Sequence, residues 1–241
     1  MANILKAVCL AKAFGSVQAV ADVTLDVEQG EILGVLGPNG SGKTTVFNLL
    51  TGVYKPDNGS IVFMDRDVTR LPSAKRCRMG MGRTFQIPRP FGNITVLENL
   101  LVAGTHGGGM SEKAARAQAD EILSITGLDA NTHTFARSLR LLDRKRLELA
   151  RGLATNPTLL LLDEVAGGLT EAEAQNILSI VQSVRDKGIT VVWIEHILMM
   201  MAGVDRILVL DQGKTLICGD PDDVMSCKEV LECYLGAEDD P

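Results

Sequence analysis

The chain has 241 residues, 46% of them apolar and 22% charged, with a net charge of −6. These totals suit one large domain or two small ones with a sizeable core. The acidic balance excludes a nucleic-acid binder that works by bulk phosphate neutralisation, so no nucleic-acid partner is expected.

The opening MANILKAVCL has no long apolar stretch with a cleavage site, and a cytosolic chain without a signal peptide is expected. AVCLAKAF and AVADVTLDV alternate at period two and predict two antiparallel strands. EILGVLG predicts a buried strand, and GKTTVFNLLTG a helix opened by a glycine loop. KPDNG reads as a turn, IVFMDRDV as one further strand, and LPSAKRCRMG as a short basic helix. From Thr84 to Gly109, two prolines near Gln86, a helix and a glycine-rich tip predict a mobile or partner-facing segment. SEKAARAQADEILSITGL is an amphipathic helix stopped by Gly127. DRKRLELARGLAT is another, with Leu147, Leu149, Ala150 and Leu153 inward. Strand TLLLLD precedes helix EAEAQNILSIVQSVRDKG, strand ITVVWIE precedes helix HILMMMAGV, and DRILVLDQG turns into KTLICGD. Uninterrupted apolar strands alternating with helices predict a parallel sheet covered on both faces. The apolar window ITVVWIEHILMMMAGV holds Glu195 and His196 and is shorter than the ~20 residues of a spanning helix. The five cysteines lack CxxC spacing and predict free thiols rather than disulfides or a zinc site. The ending AEDDP is expected to fray.

GPNGSGKT, Gly37 to Thr44, fits G-x-x-x-x-G-K-[ST] at every position, with a strand before it and a helix after. The chemistry requires this composition. Backbone N–H groups must converge on an anion, so side chains have to be absent where phosphate approaches. Gly37, Pro38, Asn39, Gly40, Ser41, Gly42, Lys43, Thr44 and Thr45 are the candidate nucleotide-binding residues. Lys43 suits the β- and γ-phosphates and the Thr44 hydroxyl suits Mg²⁺, which gives ATP and Mg²⁺ as the expected ligands. LLLLDE, Leu159 to Glu164, supplies the acidic half. The apolar run fixes Asp163 for Mg²⁺, through water, and Glu164 one residue on can orient a water and accept its proton. His196 ends the next strand, where a γ-phosphate could be sensed; on the residues alone it equally opens a helix.

In order and spacing these motifs resemble the nucleotide-binding subunits of ABC transporters over nearly the whole chain. The resemblance implies an α/β P-loop NTPase fold with a mainly parallel central sheet, an N-terminal antiparallel β subdomain and a helical signature subdomain. It implies one cassette over 1–241, with a core of about 1–85 and 157–241 and the helical part at 86–156. It makes Gln86 in TFQ the glutamine of the Q-loop, which contacts the metal and the reacting group, His196 the switch histidine, Glu164 the catalytic glutamate and Phe14 the aromatic that stacks on adenine. Without it, Phe14 reads as core filling and Gln86 as a solvated loop amide. FQIPRPFGNITVLENLLVA, LLLLDEVAGGLTEAE and VMSCKEVLECYLG look like the ATP-binding subunit of branched-chain amino acid importers.

The resemblance breaks at the signature. Where the family has LSGGQ, this chain has LRLLD, Leu139 to Asp143, and Thr170 stands at the D-loop aspartate. Leu141 and Leu142 add bulk where backbone should approach a phosphate, and Asp143 adds negative charge. A chain of this kind is expected to pair with a different ATPase subunit that carries an intact signature, a homodimer being the alternative. The resemblance also implies membrane permease subunits as direct partners and a periplasmic solute-binding protein as an indirect one. It places the chain at the cytoplasmic face of the inner membrane as a peripheral subunit. An ATPase of a lipid or lipopolysaccharide exporter and a nucleotide-gated module without hydrolysis are the rival readings.

Overall fold

The computed structural model describes residues 2–196, 198–201 and 203–235. They divide into two compact units, Met1–Ser73 with Val192–Pro241, and Ala74–Val191.

The first unit opens with β1 (Asn3–Phe14) and β2 (Val17–Glu28), an antiparallel hairpin paired from Phe14↔Val17 to Asn3↔Glu28 with register shifts along it, one of them between Ala7 and Leu10. Alternation is its main cause: buried Leu5 and Ala7 flank exposed Lys6, and buried Val23, Leu25 and Val27 flank Thr24 and Asp26, while Val8 and Cys9 break the pattern before buried Leu10. β3 (Ile32–Leu36) is buried along its whole length and delivers the glycine loop to α1 (Lys43–Leu50). β4 (Asn58–Phe63) pairs antiparallel with β1, and β5 (Arg66–Asp67) pairs with β4. IVFMDRDV is therefore not one strand. Met64 and Asp65 turn the chain with φ of 49° and 59°, so that Phe63 faces Arg66. Two successive left-handed residues make the tight hairpin turn whose twist matches the flanking strands. The usual Asn-Gly signal is absent, which hid the turn.

The chain enters the second unit through the basic helix α2 (Ser73–Arg78) and β6 (Met81–Arg83). α3 (Val96–Val102) begins in a capping box, with Thr95 and Glu98 satisfying each other's backbone amides. The expected glycine-rich tip is a packed π-helical turn, Ala103–Gly107. A Cβ on Gly104 would lie 2.9 Å from the Ala115 Cβ, and one on Gly108 would lie 2.8 Å from the Thr155 carbonyl oxygen. The glycines thus permit close approach rather than motion. α4 (Glu112–Thr126) ends at Gly127 in the left-handed conformation, as its sequence signals. α5 (Leu141–Ala154) buries Leu147, Leu149, Ala150 and Leu153 as expected, and also Lys145 and Glu148. β7 (Leu159–Asp163) runs parallel to β6, with Met81, Gly82 and Arg83 opposite Leu159, Leu160 and Leu161. α6 (Glu171–Asp186) follows, and β8 (Thr190–Ile194) carries the chain back toward the first unit.

There α7 (Leu198–Met201) holds Met200 and Met201 fully buried, which makes these two methionines helix packing. β9 (Arg206–Asp211) lies parallel to β3, and β10 (Lys214–Gly219) folds back antiparallel on β9. Strand order in this unit is β5-β4-β1-β2-β10-β9-β3. The chain ends in α8 (Pro221–Ser226) and α9 (Lys228–Leu235), and the stretch expected to fray, 237–241, falls outside the described residues. Parallel pairing in both units beside an antiparallel N-terminal part agrees with the expected α/β class. Among the described residues no helix is long and apolar enough to cross a membrane, no group of three or more His, Cys, Asp or Glu is placed to hold a metal ion, and all five cysteines are free thiols.

Candidate functional site

The glycine loop is built by close backbone approaches. Gly37 has φ of 149°, and a Cβ there would lie 2.2 Å from the Leu210 carbonyl oxygen. Gly42 has φ of 100°, and its Cβ would lie 2.6 Å from the Ala19 carbonyl oxygen. Gly213, in the turn between β9 and β10, ties the loop to β2: its N–H donates to the Ser41 carbonyl at 3.1 Å, and its own carbonyl accepts from the Ala21 N–H at 2.7 Å. The loop is thereby held from two strands.

Within it, the Lys43 ammonium is buried and donates to the carbonyls of Gly37 at 2.6 Å and Pro38 at 2.9 Å. α1 starts at Gly42 with no side-chain cap and no acidic residue in its first turn. The positive end of the helix is left uncompensated by side chains, as an anion site requires. Ser41 Oγ is buried without a hydrogen-bond partner, which fits a group still to be bound. Thr44 is exposed at the first turn of α1, Thr45 is half-buried beside it, and Asn39 and Gly40 are exposed at the loop tip. These features fit a phosphate chain and a hydroxyl-bound Mg²⁺. Phe14 is 43% exposed at the end of β1 and meets Tyr54 edge-on, with ring centroids 5.1 Å apart. The Lys12 ammonium lies 5.6 Å from the Phe14 ring centre and pairs with Asp57 at 2.7 Å. Phe14 is therefore not core filling, and Tyr54 is a second exposed aromatic that the sequence gave no reason to single out. His196 is exposed just past β8, after a fully buried Glu195 that accepts from the Trp193 indole N–H at 3.3 Å.

The acidic residues lie in the second unit. Asp163 ends β7 almost fully buried, and its carboxylate pairs with Arg83 at 2.8 Å. Its N–H donates to Thr84 Oγ1 at 3.3 Å. Glu164 follows with φ of 46°, a left-handed conformation that costs a non-glycine residue about 1–3 kcal/mol and concentrates at functional sites. It is half-buried rather than exposed. The exposed Gln86 side-chain amide donates to the Glu164 carboxylate, so the structure brings together these two residues from distant parts of the sequence.

Beneath them lie charged residues that the sequence reading passed over. The buried Lys145 ammonium donates to the carbonyls of Gln86 at 2.9 Å and Glu164 at 3.3 Å. The buried Glu148 carboxylate pairs with Arg151 at 2.9 Å. Burial pushes its pKa above the usual carboxylate range, against the pull of Arg151 and of the Phe85 and Arg89 amides. The signal was present as charges on the inward face of a helix, but the apolar positions interleaved with them drew the helix assignment.

The Leu139–Asp143 segment carries the start of α5. Arg140 is the N-cap and makes no side-chain cap, and Leu141 is 48% exposed. Asp143 is already paired, at 3.1 Å, with Arg146, whose guanidinium also reaches Asn176 Oδ1 at 2.9 Å. Thr170 caps α6 in a capping box with Glu173, a structural use of the position.

The family model described as ABC transporter matches residues 20–167, more than half of the chain. The chain is 39% identical over 239 residues to the high-affinity branched-chain amino acid transport ATP-binding protein LivG of Salmonella typhimurium, covering 92% of this chain and 94% of that one. It is 35% identical over 237 residues to the lipopolysaccharide export system ATP-binding protein LptB of Acidithiobacillus ferridurans, covering 98% of this chain and 98% of that one. Among solved structures, the ADP conformation of MJ1267, an ATP-binding cassette of an ABC transporter, superposes with a TM-score of 0.88 at 31% identity, covering 98% of this chain and all of that one.

Proposed function

The chain belongs to the ABC transporter family as one of its ATPase subunits, and from that premise we propose that it powers the import of branched-chain amino acids across a membrane. The observation that carries the nucleotide part is the loop itself, with close-approach glycines at 37 and 42, a buried Lys43 ammonium and an uncapped helix start. The likeness to LivG along nearly all of both chains supports the solute class.

In this reading Lys43 and the amides of Gly40 to Thr45 hold the β- and γ-phosphates of ATP, and Phe14 takes the adenine face. Thr44, Gln86 and, through water, Asp163 hold Mg²⁺, which when bound neutralises phosphate charge. Glu164 orients a water in line with the γ-phosphorus and accepts its proton as the bond to the departing ADP breaks. Binding, exclusion of bulk water and charge placement supply the rest of the rate. Gln86 and His196 respond to loss of the γ-phosphate. The segment Thr84–Val102, which opens the helical part at 86–156, passes that change to permease subunits. Exposed Phe85, Ile87 and Phe91 suit such a contact. The chain works at the cytoplasmic face of the inner membrane, next to a second ATPase whose intact signature completes the Lys43 site, with a periplasmic solute-binding protein delivering cargo.

The complex purified with its permease subunits tests the proposal. Lys43→Ala abolishes productive ATP binding, and Glu164→Gln retains binding but stops turnover. Leucine-loaded solute-binding protein raises the ATPase rate. A Glu164→Gln complex that keeps most of the wild-type turnover overturns the base assignment. An ATPase that responds to lipopolysaccharide and ignores the loaded binding protein overturns the solute class in favour of export, a second reading supported by the likeness to LptB.

A further inference from the structure

Residues 85–89 have an unusual backbone problem. Pro88 has no N–H to donate, and Pro90 follows the segment directly. Phe85, Gln86, Ile87 and Arg89 are exposed as side chains, and β6 ends at Arg83, before the segment begins. Its polar main-chain groups still need partners. One face of α5 meets them with charged residues at positions i, i+3 and i+6. Lys145 takes the Gln86 carbonyl at 2.9 Å and, with the same ammonium, the Glu164 carbonyl at 3.3 Å. The buried Glu148 carboxylate lies between Lys145 and Arg151 on that face and holds Arg151. Arg151 takes the Arg89 carbonyl at 3.2 Å and lies 5.6 Å from the Phe91 ring centre.

We propose that Lys145, Glu148 and Arg151 are positioning residues: together they set the Gln86 segment and the Glu164 backbone against α5, so that one rigid helix fixes both. Two observations carry this beyond ordinary packing. First, charged groups buried to this degree are costly unless their bonds are made, and a helix that only needed to fill space could use apolar residues here. Second, the Lys145 ammonium bridges two segments 78 residues apart whose side chains also meet, Gln86 against Glu164. α5 begins at Leu141. A change imposed on the 139–143 segment by a partner therefore reaches Gln86 and Glu164 through one turn of helix and one ammonium. The inference rests on the roles given above to Gln86 and Glu164.

The test uses the full-length chain in its transporter complex, with Lys145→Met, Lys145→Arg and Glu148→Gln. The expected result is a fall in kcat of about tenfold to a hundredfold in Lys145→Met and Glu148→Gln, the scale of a misplaced catalytic group. ATP affinity stays close to wild type, the variants remain folded at the assay temperature, and Lys145→Arg, which restores a donor, recovers most of the rate. Hydrogen–deuterium exchange gives a readout independent of turnover: the amides of the 85–89 segment exchange at least about tenfold faster in Lys145→Met and Glu148→Gln, while those of α4 and α6 are unchanged. Unchanged exchange at 85–89, wild-type kcat, or a loss of rate that tracks loss of folding in every variant overturns the inference. A wild-type complex with no ATP turnover sinks the functional reading, while the exchange measurement still judges the clamp.

Discussion

Alanine substitutions in the glycine loop separate two physical effects that the motif combines. Gly40 and Gly42 both have left-handed φ, 83° and 100°. A Cβ on Gly40 meets nothing within 4 Å, whereas one on Gly42 lies 2.6 Å from the Ala19 carbonyl oxygen, about 0.8 Å inside the 3.4 Å of ordinary contact. Each substitution carries a backbone strain of about 1–3 kcal/mol, offset by about 0.4–1 kcal/mol from the stiffer unfolded chain. Gly42→Ala must also push a strand carbonyl or the start of α1, an overpacking cost of about 1–3 kcal/mol. Gly40→Ala should thus cost about 1 kcal/mol and Gly42→Ala about 3 kcal/mol, with ATP affinity falling further in the second because the helix start moves. Urea unfolding read by far-ultraviolet circular dichroism and by the buried Trp193, the only tryptophan in the chain, gives the stabilities. Equilibrium ATP binding gives the affinities. Equal costs, or a larger cost for Gly40→Ala, would refute the view that the loop is held by its approach to β2.

Two further outcomes follow from single side chains. Thr170→Ala removes the hydroxyl that caps α6 and should lower stability by about 1 kcal/mol; Thr170→Asp, which keeps a capping oxygen, should cost clearly less by the same urea assay. Glu31 is buried, and its pKa is raised chiefly by that burial, against the Glu28 N–H and Arg206. A raised carboxylate binds its proton more tightly in the folded state, so its contribution is fully present below the unfolded value of about 4.5 and is lost as pH rises through the folded value. The melting temperature of wild type minus that of Glu31→Gln should therefore grow as pH falls from the raised value toward 4.5, and a difference that shrinks on acidification contradicts the assignment.

Much of the fold was legible because its cause is local. Period-two alternation fixed β1 and β2, continuous apolar runs fixed β3, β7 and β8, and Gly127 stopped α4. The phosphate loop was legible for the same reason, since each requirement falls on adjacent residues. What stayed hidden depends on contacts distant in sequence. Gly104 and Gly108 look like a flexible tip until Ala115 and Thr155 are seen against them. Lys145 and Arg151 look like ordinary helical charges until the backbone of 85–89 is found to need them. The Met64–Asp65 turn needs two left-handed residues of types that rarely announce it.

The 139–143 segment shows how a departure from a motif can be judged by its surroundings. By sequence alone, Asp143 sets a negative charge against a phosphate. In the fold that charge is met by Arg146, itself anchored on Asn176 and within 3.5 Å of the Gly127 carbonyl. The pair is partly exposed, so its own worth is small, below about 1 kcal/mol, but it turns the carboxylate to a neighbour on its own helix. The obstacle to a phosphate is then steric, the half-exposed Leu141 and the neighbouring Leu142 at the helix start. Asp143→Asn should change the turnover of the complex by less than about twofold, the scale of a screened surface charge. Addition of a second ATPase subunit with an intact signature should raise the rate of the isolated chain markedly. If Asp143→Asn alone restored high turnover to the isolated chain, charge and not bulk would be the defect, and the need for an unlike partner would disappear.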